Sequence, residues 1–339
     1  MSQRIVSPKP TPEDQNLETL RPKRLTEYVG QEQVKQNLEI FIKAAQARGE
    51  PLDHILLYGP PGLGKTTLAY IIANEMQTRL KVTSGPAIEK AGDLVAILSN
   101  LENNDILFID EIHRLNRAIE EILYPAMEDY KIDLIMGQGP SARSLEFKLN
   151  HFCLIGATTR ASLLSSPLRD RFGIIHHLNF YEEKEIAQII QRSAKILNIP
   201  AENQAIGILA QRSRRTPRVA NRLLKRVRDF CQVKGRGLVN LDLCSQALEM
   251  MQVDQYGLDE IDRRILKVLI EKFQGGPVGI NTIAAATGED EATIEEIYEP
   301  FLMQKGFLLR TSRGRQASPL AYEHLGIKIP MSKQKEQLI

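Results

Sequence analysis

The sequence predicts an α/β protein: a parallel-sheet domain, then a small all-helical domain, then a C-terminal winged helix. Three observations carry this. Short apolar runs alternate with helical patterns as far as Tyr181. Beyond it strand signal almost vanishes, while apolar residues recur at three- and four-residue steps. After Gln255-Tyr-Gly257 come a helix, a helix-turn-helix and a hairpin, in that order. The expected bounds are 1–181, 182–254 and 255–339, with a loose tail rich in Pro, Ser and Thr over 1–16.

The elements follow from their patterns. His54–Tyr58, Asp105–Ile109 and Phe152–Ala157 are apolar runs suited to strands buried on both faces, and Ile174-Ile175 adds another. Lys65–Met76 and Asn116–Glu128 have helical spacing. Lys131–Met136 and Leu145–Leu149 alternate like strands around the turn-rich Gly137–Ala142, which predicts a protruding hairpin over about 131–149. Its apolar Ile135 and Met136 have no evident core to fill, which suits a protein partner. Helices are expected over Glu182–Leu197, Ala201–Arg212, Pro217–Val233, Leu241–Met250, Leu258–Phe273, Ile280–Ala286 and Glu291–Gln304. The wing is expected from Phe307, turning near Gly314.

Composition bounds the function. At roughly 150 residues per domain, 339 residues make two or three domains. With 42% apolar and 25% charged residues, the chain is neither collagen-like nor wholly disordered. No apolar run approaches the ~20 residues that span a bilayer. The first residues lack the apolar core of a secretory signal. The three cysteines lie far apart, without zinc spacing, as in a reducing cytosol. A net charge of +2 says little about partners; its distribution says more.

Gly59-Pro-Pro-Gly-Leu-Gly-Lys-Thr-Thr67 fits the phosphate-loop pattern GxxxxGKT between a strand and a helix. Gly59, Gly62 and Gly64 let backbone N–H groups turn inward around phosphate oxygens, and the next helix adds its positive end. Lys65 can reach the β and γ phosphates, Thr66 can ligate Mg²⁺, and Thr67 completes the loop. Asp105-Ile-Leu-Phe-Ile-Asp-Glu111 ends a strand in two carboxylates, at the end that faces ligands in a parallel sheet. Asp110 is the expected Mg²⁺ partner and Glu111 the expected base for the attacking water. Nucleotide hydrolysis by such parts is mostly positioning and charge neutralisation. Further polar candidates are Thr158 and Thr159 after a strand, Arg169 and Arg171 in Ser166–Phe172, and Arg218 at a helix start.

GPPGLGKTT, IDEIH, GATTR, SPLRDRFG and TPRVANRLLKRVRDF, in this order and spacing, resemble the AAA+ ATPases. With the winged-helix tail, the resemblance narrows to the bacterial motors that migrate Holliday junctions and covers about residues 17–330. It implies Thr158 as first sensor, Arg171 rather than Arg169 as an arginine finger reaching a neighbour's nucleotide, and Arg218 as second sensor. It places Leu20, Arg21 and Tyr181 around base and sugar, and Glu128, Asp129 and Tyr130 on the intersubunit side. It further implies ATP and Mg²⁺, a cytoplasmic homohexameric ring around duplex DNA, and a role in recombination, repair and the SOS response. The hairpin over about 131–149 would dock the junction-binding protein RuvA, with the resolvase RuvC in the wider complex.

Charge supports a nucleic-acid partner. Between Phe301 and Tyr322 stand Lys305, Arg310, Arg313 and Arg315 with no carboxylate. The resemblance, whose DNA contacts fall on this wing, implies Arg310 and Arg315 as the DNA contacts, with Arg313 beside them. The recognition helix carries Glu291, Glu295, Glu296 and Glu299, which repel phosphate, so it does not read sequence in the major groove. The basic stretch 211–236 has a helical apolar face and suits a solvated or subunit-facing helix. Competing readings are another AAA+ machine, or a transcription regulator switched by ATP. Of the first kind, which includes clamp loaders, initiators and protein unfoldases, an unfoldase usually exposes an aromatic pore loop, and none of convincing form stands here; the acidic helix counts against the second.

Overall fold

The computed structural model describes residue 6, residues 19–136 and residues 143–330. The tail expected over 1–16, Val6 apart, and the hairpin tip at 137–142 lie outside the described residues. So do the side chains of Ile135 and Met136. The chain forms two compact units that divide at Tyr181, except that Pro60–Gly62 belong with the second.

The first unit is built on seven strands: β1 Ile55–Tyr58, β2 Leu80–Ser84, β3 Ile106–Asp110, β4 Lys131–Met136, β5 Arg143–Lys148, β6 Cys153–Thr158 and β7 Ile174–His177. Five form one parallel sheet in the order β2-β3-β6-β1-β7. β4 and β5 pair antiparallel as a separate hairpin, from Lys131↔Lys148 to Met136↔Arg143. The helices are α1 Glu32–Arg48, α2 Lys65–Met76, α3 Ala91–Ser99, α4 Arg117–Glu128 and the single turn α5 Ser166–Arg169. Parallel strands must be covered on both faces, and these are. Leu56, Leu107, Ile109 and Leu154 share a core with Leu94 and Leu98 of α3 and Leu123 of α4. Ile55, Leu57, Ile106, Phe108 and Ile155, one residue out of phase, are buried as well. α2 lies against β3 and β6.

α1, β2 and α3 have no counterpart in the sequence reading. β2 is an edge strand of mostly half-exposed and exposed residues, so it offers no apolar run to detect. β3 and β6 each extend one residue beyond their expected ends, which makes Asp110 and Thr158 the last residues of their strands.

His54, just before β1, is a buried fastener. The Leu154 N–H donates to its Nδ1 at 2.9 Å, so the proton sits on Nε2 and faces the Met127 carbonyl at 3.0 Å. Burial depresses the pKa of this ring. Below the ordinary histidine value of about 6.5 the unfolded chain therefore binds a proton that the fold refuses. Stability contributed by His54 is full above that value and declines as pH falls below it. The expected outcome is a melting temperature that drops from pH 7 to pH 5, with a shallower slope, by up to about one proton, in His54→Gln.

The second unit opens with a helical bundle: α6 Glu183–Ile196, α7 Asn203–Arg212, α8 Pro217–Lys234 and α9 Leu241–Met250. Thr216-Pro217 starts α8 because proline fits a first helical turn. Then come α10 Glu260–Lys267, α11 Ile280–Thr287, α12 Glu291–Thr293, α13 Glu299–Gln304, strands β8 Leu308–Thr311 and β9 Gly314–Ala317, and α14 Pro319–His324. The long helix expected over Glu291–Gln304 is interrupted by a π turn, Ile294–Tyr298. Pro300 supplies the reason: it has no N–H to donate one turn back, and the wider turn lies just before it. Another π turn, Val268–Lys272, closes α10, and no proline accounts for it.

Arg214 fastens the bundle to the winged part within this unit. Only 2% exposed, it donates through Nε to the Gly257 carbonyl at 3.0 Å, pairs with Asp262, and stands 3.2 Å from Asp259. The Phe301 ring lies 4.9 Å from its guanidinium carbon. Burial pushes Asp262 well above the usual carboxylate range. Asp259, although burial works against its charge, is held low by Arg214 and by N–H bonds from Asp262 and Ile261. Removing one partner of such a buried group leaves the other uncompensated, at about 3–5 kcal/mol. Asp259→Ala, which removes the carboxylate held ionised beside Arg214, should lose stability of that order in urea unfolding.

Candidate functional site

The phosphate loop begins where β1 ends. The Gly59 N–H donates to the Thr158 carbonyl at 3.2 Å, so the loop hangs from the last residue of the neighbouring strand. Gly59 has φ 141°, and a Cβ there would come within 2.5 Å of the Leu178 carbonyl oxygen. Gly64 has φ 100°, and its Cβ would meet the Tyr28 hydroxyl at 2.8 Å. Neither position takes a side chain. The Tyr28 hydroxyl donates to the Leu63 carbonyl at 3.2 Å and braces the loop from behind. Gly62 is also left-handed, with φ 82°. Lys65 opens α2, is buried, and turns its ammonium to the Gly59 carbonyl at 2.7 Å. Thr66 and Thr67 follow in the first turn of α2, half-buried.

The sheet order places β6 between β1 and β3. The phosphate loop, the Thr158-Thr159 pair and the Asp110-Glu111 pair therefore leave three adjacent strands at the same end. Asp110 ends β3 and takes the Glu111 N–H on Oδ1 at 3.0 Å. Glu111 sits in the left-handed region at φ 50°, a conformation that costs a non-glycine residue energy and aims its side chain. Gly85 backs it: a Cβ there would lie 2.4 Å from the Glu111 carbonyl oxygen.

His113, part of the IDEIH run but given no role from sequence, joins the two strand ends. Its Nδ1 lies 2.9 Å from the Thr158 hydroxyl and its Nε2 3.5 Å from Glu111 Oε2. The Thr158 hydroxyl also accepts the Arg160 N–H at 2.9 Å, and its residue is fully buried. With the hydroxyl proton on the Nδ1 bond, the ring proton sits on Nε2 and faces the carboxylate. Thr158 is thus engaged inside the fold. The hydroxyl of Thr159 is buried and meets no protein partner among the described residues. Sequence placed both threonines after the strand and could not choose between them by pattern.

The donor set suits a magnesium nucleotide: backbone N–H groups on a glycine-shaped loop, one ammonium, and oxygens on Thr66 and Asp110. Arg171 engages other partners in this unit. Its Nη2 reaches Glu128 at 3.0 Å, its Nη1 donates to the Pro167 carbonyl at 2.7 Å, and its guanidinium lies 4.6 Å from the centre of the Tyr124 ring. The structure therefore brings Arg171 and Glu128 together, with Asp129 exposed beside them and Arg169 exposed nearby. Tyr130 instead stacks on His151 at 4.1 Å and meets Phe152 edge-on. Leu20 is buried, and Arg21 lies 4.9 Å over the Tyr70 ring.

In the second unit Tyr181 is buried and exchanges hydrogen bonds with Arg215: its N–H donates to the Arg215 carbonyl at 3.1 Å, and Arg215 Nε donates to its carbonyl at 2.7 Å. Arg218 is half-buried in the first turn of α8. On the wing, Arg310 and Arg313 are exposed. Arg315 is only 12% exposed and holds Glu299 through Nε at 3.1 Å and Nη2 at 2.9 Å. That inward engagement is invisible in a sequence where the two residues stand far apart.

Comparison with known proteins agrees along the whole chain. Residues 20–178 match the family described as the Holliday junction DNA helicase RuvB P-loop domain. Residues 181–254 match the RuvB AAA lid domain, and residues 255–326 the RuvB C-terminal winged helix domain. The Holliday junction branch migration complex subunit RuvB of Dehalococcoides mccartyi (strain CBDB1) is 58% identical over 336 residues, 99% of this chain and 96% of that protein. The Thermotoga maritima RuvB Holliday junction branch migration motor shares 52% identity at a TM-score of 0.84, covering 92% of this chain and 100% of that one. A mutant of the same Thermotoga protein matches at a TM-score of 0.86 over the same shares. With a hydrolytic strand-end site of this form and likeness in all three segments, the chain belongs to the RuvB family.

Proposed function

We propose that this chain is the ATP-driven motor subunit of a Holliday-junction branch-migration complex, moving duplex DNA in recombination and repair. The observation that carries it is the meeting of the phosphate loop, Asp110-Glu111 and Thr158-Thr159 at three adjacent strand ends. The loop amides and Lys65 bind the β and γ phosphates. Thr66 and Asp110 would hold Mg²⁺, which neutralises phosphate charge. Glu111 takes the proton of the attacking water, held in place by its own backbone conformation and by His113. Either threonine of the pair can serve as first sensor. The buried, unanswered hydroxyl favours Thr159, whereas the family resemblance pointed to Thr158.

The remaining roles are our reading of the sequence with the local geometry as support. Arg171, presented beside Glu128 and Asp129, is the finger that completes a neighbour's site. Arg218 at the start of α8 is the second sensor. Leu20, Arg21 and Tyr181 line the base and sugar. We divide the second unit at about 254 into a lid and a DNA-binding head. A homohexameric ring around duplex DNA, docking of RuvA through the hairpin at about 131–149, RuvC in the wider complex and a cytoplasmic location complete the proposal. No helix among the described residues is long and apolar enough to cross a membrane.

Glu111→Gln should bind ATP and assemble but lose turnover, measured as nucleotide affinity against steady-state hydrolysis. His113→Ala should lower kcat with nucleotide affinity kept; turnover at the parent rate would leave His113 with no part in placing Glu111. Arg171→Ala should lose about 10³-fold or more in hydrolysis, yet mixing it with Lys65→Ala should restore activity. Mixed assemblies that stay silent would remove the finger from Arg171. Junction-stimulated hydrolysis, with conversion of a labelled junction to duplex products, tests the function itself.

A further inference from the structure

The acidic recognition helix poses a question. A DNA-binding head with Glu291, Glu295, Glu296 and Glu299 on that helix works against itself. The wing supplies the answer. Arg310 and Arg315 are directly opposite across the β8–β9 pair, so both side chains leave the same face of the hairpin. Like charges so placed repel and destabilise a hairpin. The backbone cannot relax the clash by slipping. Arg315 exchanges two hydrogen bonds with Val278, at 2.9 and 2.8 Å, and a Cβ on Gly314 would strike the Val278 carbonyl oxygen at 2.5 Å.

Carboxylates from the helix hold the arginines instead. Buried Glu299 takes Arg315 on one oxygen and lies 3.5 Å from Arg310 on the other. Glu295, 38% exposed, touches both guanidinium groups more loosely, at 3.8 Å each. A carboxylate and a phosphate present the same oxygens to a guanidinium fork. The tight, buried contact fixes where the arginines sit; the loose, exposed one can be exchanged.

We propose that Glu295 is an internal stand-in for a DNA phosphate, which duplex DNA must displace to be gripped by Arg310 and Arg315, while Glu299 stays beneath as the positioning residue. This rests on the reading of the wing as the DNA contact. It gives a motor a grip that is reset whenever the phosphate leaves, because the arginines return to a partner within the chain.

The test measures binding of the full chain to a fluorescein-labelled blunt duplex across a salt series. Glu295→Gln should tighten binding about threefold to tenfold at low salt and steepen the salt dependence by up to about one counterion. In an Arg310→Ala, Arg315→Ala background the same change should do nothing. Glu291→Gln, an equal change of charge on a residue that makes no wing contact among those described, should tighten binding much less. Tightening equal to that of Glu291→Gln, tightening that survives loss of both arginines, or no tightening would each overturn the proposal. Arg310→Ala alone separates the two levels: unchanged affinity for that variant removes the wing from DNA binding, whereas weakened affinity without the Glu295 effect removes only the stand-in.

Discussion

The hydrogen bond from the Gly59 N–H to the Thr158 carbonyl is the constraint on which the site depends. It ties the first residue of the phosphate loop to the last residue of the middle strand. That strand, β6, also pairs with β3, which ends in Asp110. The phosphate loop, the acidic pair and the threonine pair thus share one rigid sheet end, where adjacent strands lie about 4.8 Å apart. Catalysis of phosphoryl transfer needs positioning more than chemistry, and parallel pairing supplies it before any ligand arrives. Gly156 leaves room on the same sheet, because a Cβ there would press the Ile112 and Phe172 side chains at 3.0 Å.

Much of this was legible because the chemistry is local in sequence. GPPGLGKTT and the acidic pair are contiguous runs, and α2, α9 and β4 begin and end where their patterns do. What stayed hidden was non-local or polar. β2 has too few apolar residues to announce itself. His113 acts through Thr158, 45 residues away. The choice between Thr158 and Thr159 turns on which hydroxyl the fold already uses. Arg315 reads as a free basic residue on a wing, and only the folded head shows Glu299 beneath it.

The second unit shows how a buried charge can serve as a joint. Arg214 and Arg215 both adopt left-handed backbone, at φ 55° and 56°, just before α8. One turns to Gly257, Asp259 and Asp262 of the winged part, the other to Tyr181 and Glu182 at the start of the unit. The segment leading into the helix that carries Arg218 is therefore held from two sides. Apolar packing would stabilise such a joint as well or better. Directional bonds fix its angle, which apolar packing alone does not.

The edge strand β2 has its own consequence. Among the described residues its outer rim pairs with no further strand, and such rims are the usual template for pathological sheet growth between molecules. It is only five residues long and bears an exposed Lys81 at its second position, beside the exposed Val82. A crowded lysine is hard to desolvate, so a stray strand finds poor purchase there. The short, lysine-bearing edge thereby keeps the open flank of the sheet from seeding such growth.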